Sequence, residues 1–256
     1  MDLSKPDIQM RISTREKLIL TGLYLSKYDS AGLQELGFGT FHEAFNVIGY
    51  ALNSKPASIK NYRDEFDPLF PNGRKGWHKR KIRNYCLSVL GEYQYFSFEA
   101  FTGLVLSFFD YSQKMEVGLA LPSGDTSTFA QRLITGLAAE RYFEAVHKGL
   151  PEFSAYKIEN TTRFGCGYDF RLHGTAGTDN YLAVEVKGLK GLSGAISMTP
   201  KEHEVASSMR DRFFLFVVRN FDVSPSHIFF RDPIAGPLRF NRTERVVTQV
   251  SWLSNI

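Results

Sequence analysis

Residues 164–188 constrain the fold more than any other stretch of this chain. Two runs, Phe164-Gly-Cys-Gly-Tyr-Asp-Phe-Arg-Leu172 and Tyr181-Leu-Ala-Val-Glu-Val-Lys-Gly188, flank His173-Gly-Thr-Ala-Gly-Thr-Asp-Asn180. The middle piece has the composition of a turn, and the flanks are rich in aromatic and β-branched residues. The segment therefore predicts an antiparallel hairpin about Gly177. In that register Tyr181 faces His173 and Glu185 faces Asp169. Strands repeat every two residues, which sets Lys187 on the face of Glu185 and turns Val184 and Val186 into the core. Facing side chains have Cβ atoms about 5 Å apart. Such a hairpin gathers two carboxylates and one ammonium on one face.

The rest of the pattern changes character midway. The first half reads as helical. Ser13 and Glu16 form a capping-box pair. Phe41 to Leu52 carries Ala44, Phe45, Ile48 and Leu52 at helical spacing, and Ser58 to Phe66 turns Ile59, Tyr62 and Phe66 inward. Short helices joined by tight turns suit a helix-turn-helix arrangement. Residues 121–125 (LPSGD) read as a linker and Thr126 to His147 as a helix. Strands follow over 153–188, a helix over 200–211 and two more strands over 213–231. The fold class is α/β (α+β): an N-terminal helical, helix-turn-helix-like domain (1–120) followed by a mixed β-sheet core flanked by helices (121–256).

Composition narrows the function classes. The chain has 256 residues, 43% of them hydrophobic and 23% charged, enough for a large core. Its two cysteines, Cys86 and Cys166, form no CxxC pair. A reduced, intracellular setting is expected. The six histidines (His42, His78, His147, His173, His203, His227) show no metal-site spacing. MDLSKPDIQM lacks the apolar run of a signal peptide. Phe98 to Phe109 is too short to span a bilayer and reads as a buried helix, so no membrane partner is expected. GxSxG, GxxxxGK[ST] and GxGxxG are all absent. Cys166 reads as a small strand residue, and His173 as an exposed residue of the hairpin turn.

Two carboxylates held close repel unless a cation lies between them. Hard oxygen ligands favour Mg2+, with Mn2+ as a substitute. A cation so held can stabilise charge on a phosphate and activate water, with Lys187 orienting that water or offsetting developing charge.

At these residues the chain resembles the PD-(D/E)xK nuclease superfamily. The blocks Gly-Cys-Gly-Tyr-Asp-Phe, Val-Glu-Val-Lys-Gly, Ile-Ser-Met-Thr-Pro-Lys-Glu-His-Glu, Phe-Phe-Leu-Phe-Val-Val-Arg-Asn and Arg-Asp-Pro are similar to the nuclease-like domain at the C-terminus of the plant protein NO VEIN. The resemblance covers about residues 130 to 235. It implies a restriction-endonuclease-like core, with Asp169, Glu185 and Lys187 as the catalytic set. Asp169, Glu185 and Val186 are the implied metal ligands, valine through its main chain. Tyr168 stands where the superfamily's name-giving proline would be. A further acid on the helix before the sheet is also implied, and Glu140 is the best match, with Glu144 one turn later. Thr199-Pro200-Lys201-Glu202 is a capping box whose helix is expected to pack behind the active strands. Ser197 and Lys201 are expected near a phosphate.

The expected activity is that of a type II restriction endonuclease acting on double-stranded DNA in a prokaryotic cytoplasm, with a modification-dependent or nicking nuclease, or a non-catalytic DNA-binding protein on a nuclease fold, as the alternatives. Cutting both strands calls for a homodimer, with Tyr93 to Phe109 at its interface. A cognate DNA methyltransferase is the genetic rather than physical partner. Recognition is expected in the helical half. Arg74, Lys75, Lys79, Arg80, Lys81 and Arg83 crowd residues 72–85 without an acid. Ser58, Lys60, Asn61 and Arg63 would face outward on their helix to meet base edges, while Arg74, Lys75, Lys79, Arg80 and Lys81 grip phosphates. Trp77 reads as a core residue, with stacking on a sugar or base as the alternative. The acids Asp64, Glu65 and Asp67 lie on the back of that helix or pair with Arg63.

Overall fold

The structure is a computed structural model that describes residues 12–109, 126–174, 181–244 and 254, and for 126 and 127 the backbone alone. The N-terminal MDLSKPDIQM, the 121–125 linker with the expected domain boundary beside it, and the turn about Gly177 lie outside the described residues.

The helical half comprises α1 (Thr14–Lys27), α2 (Asp29–Glu35), α3 (Phe41–Ala51), α4 (Pro56–Phe66), α5 (Asn84–Tyr93) and α6 (Phe98–Leu106). Ser13 and Glu16 close the expected capping box. Helix α1 is its central rod, with every residue from Leu18 to Ser26 buried. It packs on α4 so closely that a Cβ on Gly22 would stand 2.5 Å from Tyr62 Cβ and 2.8 Å from Arg63 N. Gly22→Ala is therefore expected to lower stability by about 1–3 kcal/mol through overpacking. An unchanged denaturant midpoint would contradict this close crossing. Only one side of α6 is buried, through Phe101, Thr102 and Val105, not the whole helix.

The second half is α+β. Helix α7 (Thr126–Val146) precedes β1 (Lys157–Asn160), β2 (Phe170–His173) and β3 (Tyr181–Gly188); α8 (Pro200–Met209) precedes β4 (Phe213–Arg219) and β5 (Ser226–Arg231). The strands lie in sequence order in one mixed sheet. Among the described residues only β3 and β4 are parallel, and α8 makes their crossover. Strand β3 is buried on both faces, which explains its nearly continuous apolar run. On one face, Phe143 of α7 packs against Phe170 (5.1 Å between ring centroids) and Phe216 (4.8 Å). On the other, Ala206 and Met209 of α8 cover Tyr168, Ala183 and Phe213.

Helix α3 connects the halves. Tyr50 meets Tyr142 of α7, with ring centroids 5.3 Å apart, and Asn46 Nδ2 donates to Phe221 O at 2.8 Å. Lys190 reaches the buried Glu43 at 2.8 Å. No helix among the described residues is long and apolar enough to cross a membrane.

Three local expectations are corrected. Helix α8 covers the Glu185–Lys187 side of β3, not its back, because α7 already occupies the Val184–Val186 side. Cys166 lies in the loop before β2, between Gly165 (φ 58°) and Gly167 (φ 86°), rather than in a strand. His173 is the last residue of β2, paired with Tyr181, and its Nε2 lies 2.7 Å from Glu159 Oε2.

Candidate active site

The β2–β3 ladder runs from His173↔Tyr181 to Phe170↔Val184. Asp169 sits one residue beyond it. Its N–H donates to Val184 O at 3.1 Å, and its carbonyl accepts from Thr161 N–H at 2.8 Å. Its Oδ2 accepts from Val186 N–H at 2.9 Å. The backbone groups that hold Asp169 thus lie on either side of Glu185. An amide past the end of a ladder needs an acceptor, and Asp169 supplies it for Val186.

Glu185 is 4% exposed and lies beneath α8. Desolvation pushes its pKa well above the ordinary carboxylate range. The charge of Asp169 raises it further, and Lys187 opposes both. Lys187 Nζ stands 2.6 Å from Glu185 Oε1 and 2.7 Å from Glu202 Oε2. Burial alone would lower the lysine pKa. Attraction to Glu185 and then Glu202 outweighs it and holds the ammonium above its ordinary value.

Glu202 is the site residue that sequence reasoning missed, since it was read only as a cap. It does cap: Thr199 N–H donates to the same Oε2 at 3.0 Å, and Glu202 N–H donates to Thr199 Oγ1 at 3.2 Å. The signal was spacing. Glu202, Ala206 and Met209 stand at i, i+4 and i+7, one face of the helix, and Ala206 and Met209 are its buried residues.

Glu140 lies 5% exposed on α7, next to Ala139, whose Cβ would be 3.3 Å from a Cβ on Gly188. It therefore follows the point where α7 passes behind the end of β3. Glu144 is paired elsewhere, with Arg141 at 2.6 Å and Asn160 Nδ2 at 3.3 Å. Ser197 and Lys201 are exposed near the start of α8.

No group of three or more His, Cys, Asp or Glu able to hold a metal comes together among the described residues. A hard cation would take two carboxylates, Asp169 and Glu185, with the Val186 main chain, water and phosphate oxygens completing its shell. That donor set fits magnesium.

In the helical half the expected DNA-binding residues divide. Lys75, Lys79 and Lys81 are exposed, as are Lys60 and Asn61, though Lys60 pairs with Asp64 at 2.6 Å. Ser58 is half-buried and accepts from Ser54 Oγ at 3.3 Å. Arg80 is exposed but leans on the Trp77 ring at 3.8 Å and reaches Glu65 at 3.3 Å. Trp77 itself is half-buried.

Arg63 does not face outward. It is buried, with its guanidinium 4.9 and 4.8 Å from the Phe41 and Phe45 ring centroids and 2.7 Å from Asp64. Four residues after Ile59, it shares the inward face, and two aromatic rings with a carboxylate suit a guanidinium there. Arg74 is likewise engaged, by Asp29 and by Asp67 at 2.9 Å. Much of the basic block is therefore an internal staple. Asp64, Glu65 and Asp67 bind Arg63, Arg74, Arg80 and Arg83, leaving Lys75, Lys79 and Lys81 for solvent.

The family model described as Protein NO VEIN, C-terminal, matches residues 139–230. The matched segment holds four of the five sequence blocks that resemble that nuclease-like domain, and Arg231-Asp-Pro233 lies just beyond it. It contains Glu140, Asp169, Glu185, Lys187 and Glu202, and excludes the helical half. Neither the curated proteins nor the solved structures contain a match.

Proposed function

We propose that this protein is a Mg2+-dependent DNA endonuclease of the type II restriction kind. The observation that carries the proposal is the meeting of Asp169, Glu185 and Lys187 at the end of β3, within the segment that matches the nuclease-like family. Asp169 and Glu185 would hold the cation, which when bound would supply charge compensation for the scissile phosphate and lower the pKa of water. Lys187 orients the attacking water or stabilises charge developing on the phosphate. Glu140, on the helix behind, is a further acid of the site. The reaction adds water across a phosphodiester bond, with its oxygen bonding to phosphorus as a P–O bond to a sugar oxygen breaks.

The direct test is incubation of the pure protein with phage DNA, with and without Mg2+, followed by sequencing of the ends. Discrete, Mg2+-dependent ends are expected, and chelator abolishes them; uncut DNA under every condition would sink the proposal. Methylated and unmethylated substrates run side by side separate a restriction specificity from a modification-dependent one. Mg2+ is also expected to stabilise the fold, by about 2.7 kcal/mol at 100 times its Kd.

DNA reaches the site through the helical half, where Lys75, Lys79 and Lys81 bind phosphates and Lys60 and Asn61 face the bases. Replacing any one of those three lysines with alanine is expected to weaken binding on all sequences alike. The log–log salt slope should fall by about one per lysine. An unchanged slope in the triple variant would remove this segment from the interface. Double-strand cutting requires two copies of the site, so the working unit is a homodimer. Tyr95 and Phe96, 86% and 37% exposed in the Tyr93 to Phe109 stretch, suit its contact. A strict monomer in sedimentation, with and without DNA, would exclude it.

A further inference from the structure

We propose that Glu202 is a positioning residue that fixes the Lys187 ammonium, so that one carboxylate both starts helix α8 and aims the lysine of the site. The inference rests on the nuclease reading above, but its geometry stands independently. Glu202 Oε2 accepts from Lys187 Nζ at 2.7 Å and from Thr199 N–H at 3.0 Å. The two acceptors of Lys187 lie on different elements, Glu185 on β3 and Glu202 on α8. A lysine side chain has many rotamers, and an ammonium bonded from one side alone swings. Bonded from two elements, it keeps one position. Helix α8 is itself seated by Ala206 and Met209 on Tyr168, Ala183 and Phe213, so the carboxylate is supported by packed apolar side chains. A supporting group of this kind typically contributes 10- to 100-fold to activity.

Capping and tethering separate by mutation. Glutamine serves in a capping box as glutamate does, so Glu202→Gln keeps the helix start and removes the charge that holds Lys187. Thr199→Ala removes the cap and keeps that charge. Glu202→Gln is expected to melt within a degree or two of wild type and to lose about 10-fold in kcat, with KM for DNA within about 2-fold. Glu202→Ala deepens the kcat loss toward 100-fold. Thr199→Ala should melt lower yet keep kcat per folded molecule.

A second readout is independent of cleavage. In protein labelled with 15N-lysine, the Nζ signal of Lys187 is slow to exchange in wild type and in Thr199→Ala, and broadens in Glu202→Gln. Wild-type kcat with an unchanged Lys187 signal in Glu202→Gln overturns the proposal. So does a Thr199→Ala kcat loss equal to that of Glu202→Gln, since capping alone would then explain both. A Glu202-dependent signal in a protein that cleaves no DNA supports the tether and removes the nuclease reading.

Discussion

Glu185→Gln protein is expected to cleave DNA about 10²- to 10³-fold more slowly than wild type, while melting no lower in the absence of metal. The two halves of that result have one cause. Glu185 is buried beside Asp169, and both desolvation and its neighbour's charge disfavour its ionised form, more than Lys187 relieves. An acid whose folded pKa is raised binds its proton more tightly folded than unfolded. Its contribution to stability is therefore present below the unfolded value and lost as the pH rises through the folded one. The melting temperature of metal-free wild type should accordingly fall relative to Glu185→Gln as the pH climbs out of the ordinary carboxylate range. A neutral amide of the same shape removes the repulsion together with a cation ligand. Lys187→Ala should lose cleavage to a similar extent by removing the positive group, but it leaves Glu185 and Glu202 facing each other and so melts lower. Undiminished cutting by either variant, with contamination excluded, would refute the assignment of these residues.

The central hairpin was legible because two independent patterns agree there. The turn composition of 173–180 and the period-two alternation of the flanks give one register, and His173 does face Tyr181 while Val184 and Val186 enter the core. The side taken by α8 was not legible. In a strand buried on both faces, alternation separates the two faces but does not say which helix covers which. The answer lies in the crossover between parallel β3 and β4 and in the prior claim of α7 on the other side. Arg63 was misplaced for a different reason. Its spacing from Ile59 marks the inward face, but a guanidinium reads as surface unless its aromatic and carboxylate partners are known. Phe41 and Phe45 lie more than fifteen residues away in sequence. Glu202 combines both difficulties, since its local role as a cap is complete and hides a contact with a strand fifteen residues earlier.

Replacing Asp67 is expected to harm folding more than any other single change in the helical half. The residue is 1% exposed. Its Oδ1 accepts from Ser26 Oγ at 2.8 Å, Asn72 Nδ2 at 3.0 Å and Arg74 Nη2 at 2.9 Å, and its Oδ2 accepts from Arg74 Nε at 2.9 Å. Arg63 Nε lies 3.6 Å from the same Oδ2. One carboxylate thus joins the end of α1, the end of α4 and the start of the basic segment. Asp67→Ala leaves two guanidiniums against the Phe41 ring with Asp29 and Asp64 as their remaining carboxylates. Breaking a buried pair from one side costs about 3–5 kcal/mol, because the remaining charge stays desolvated. That is a large part of the stability of an ordinary domain. Asp67→Asn keeps the shape and some hydrogen bonds, so its loss should be smaller, and the difference between the two variants measures the charge. Because Lys75, Lys79 and Lys81 are carried on the segment that Arg74 anchors, loss of DNA affinity should accompany the loss of stability. If Asp67→Ala unfolds at the wild-type denaturant concentration, the cluster is a surface ion pair of little energetic weight, and the basic segment is held by other contacts.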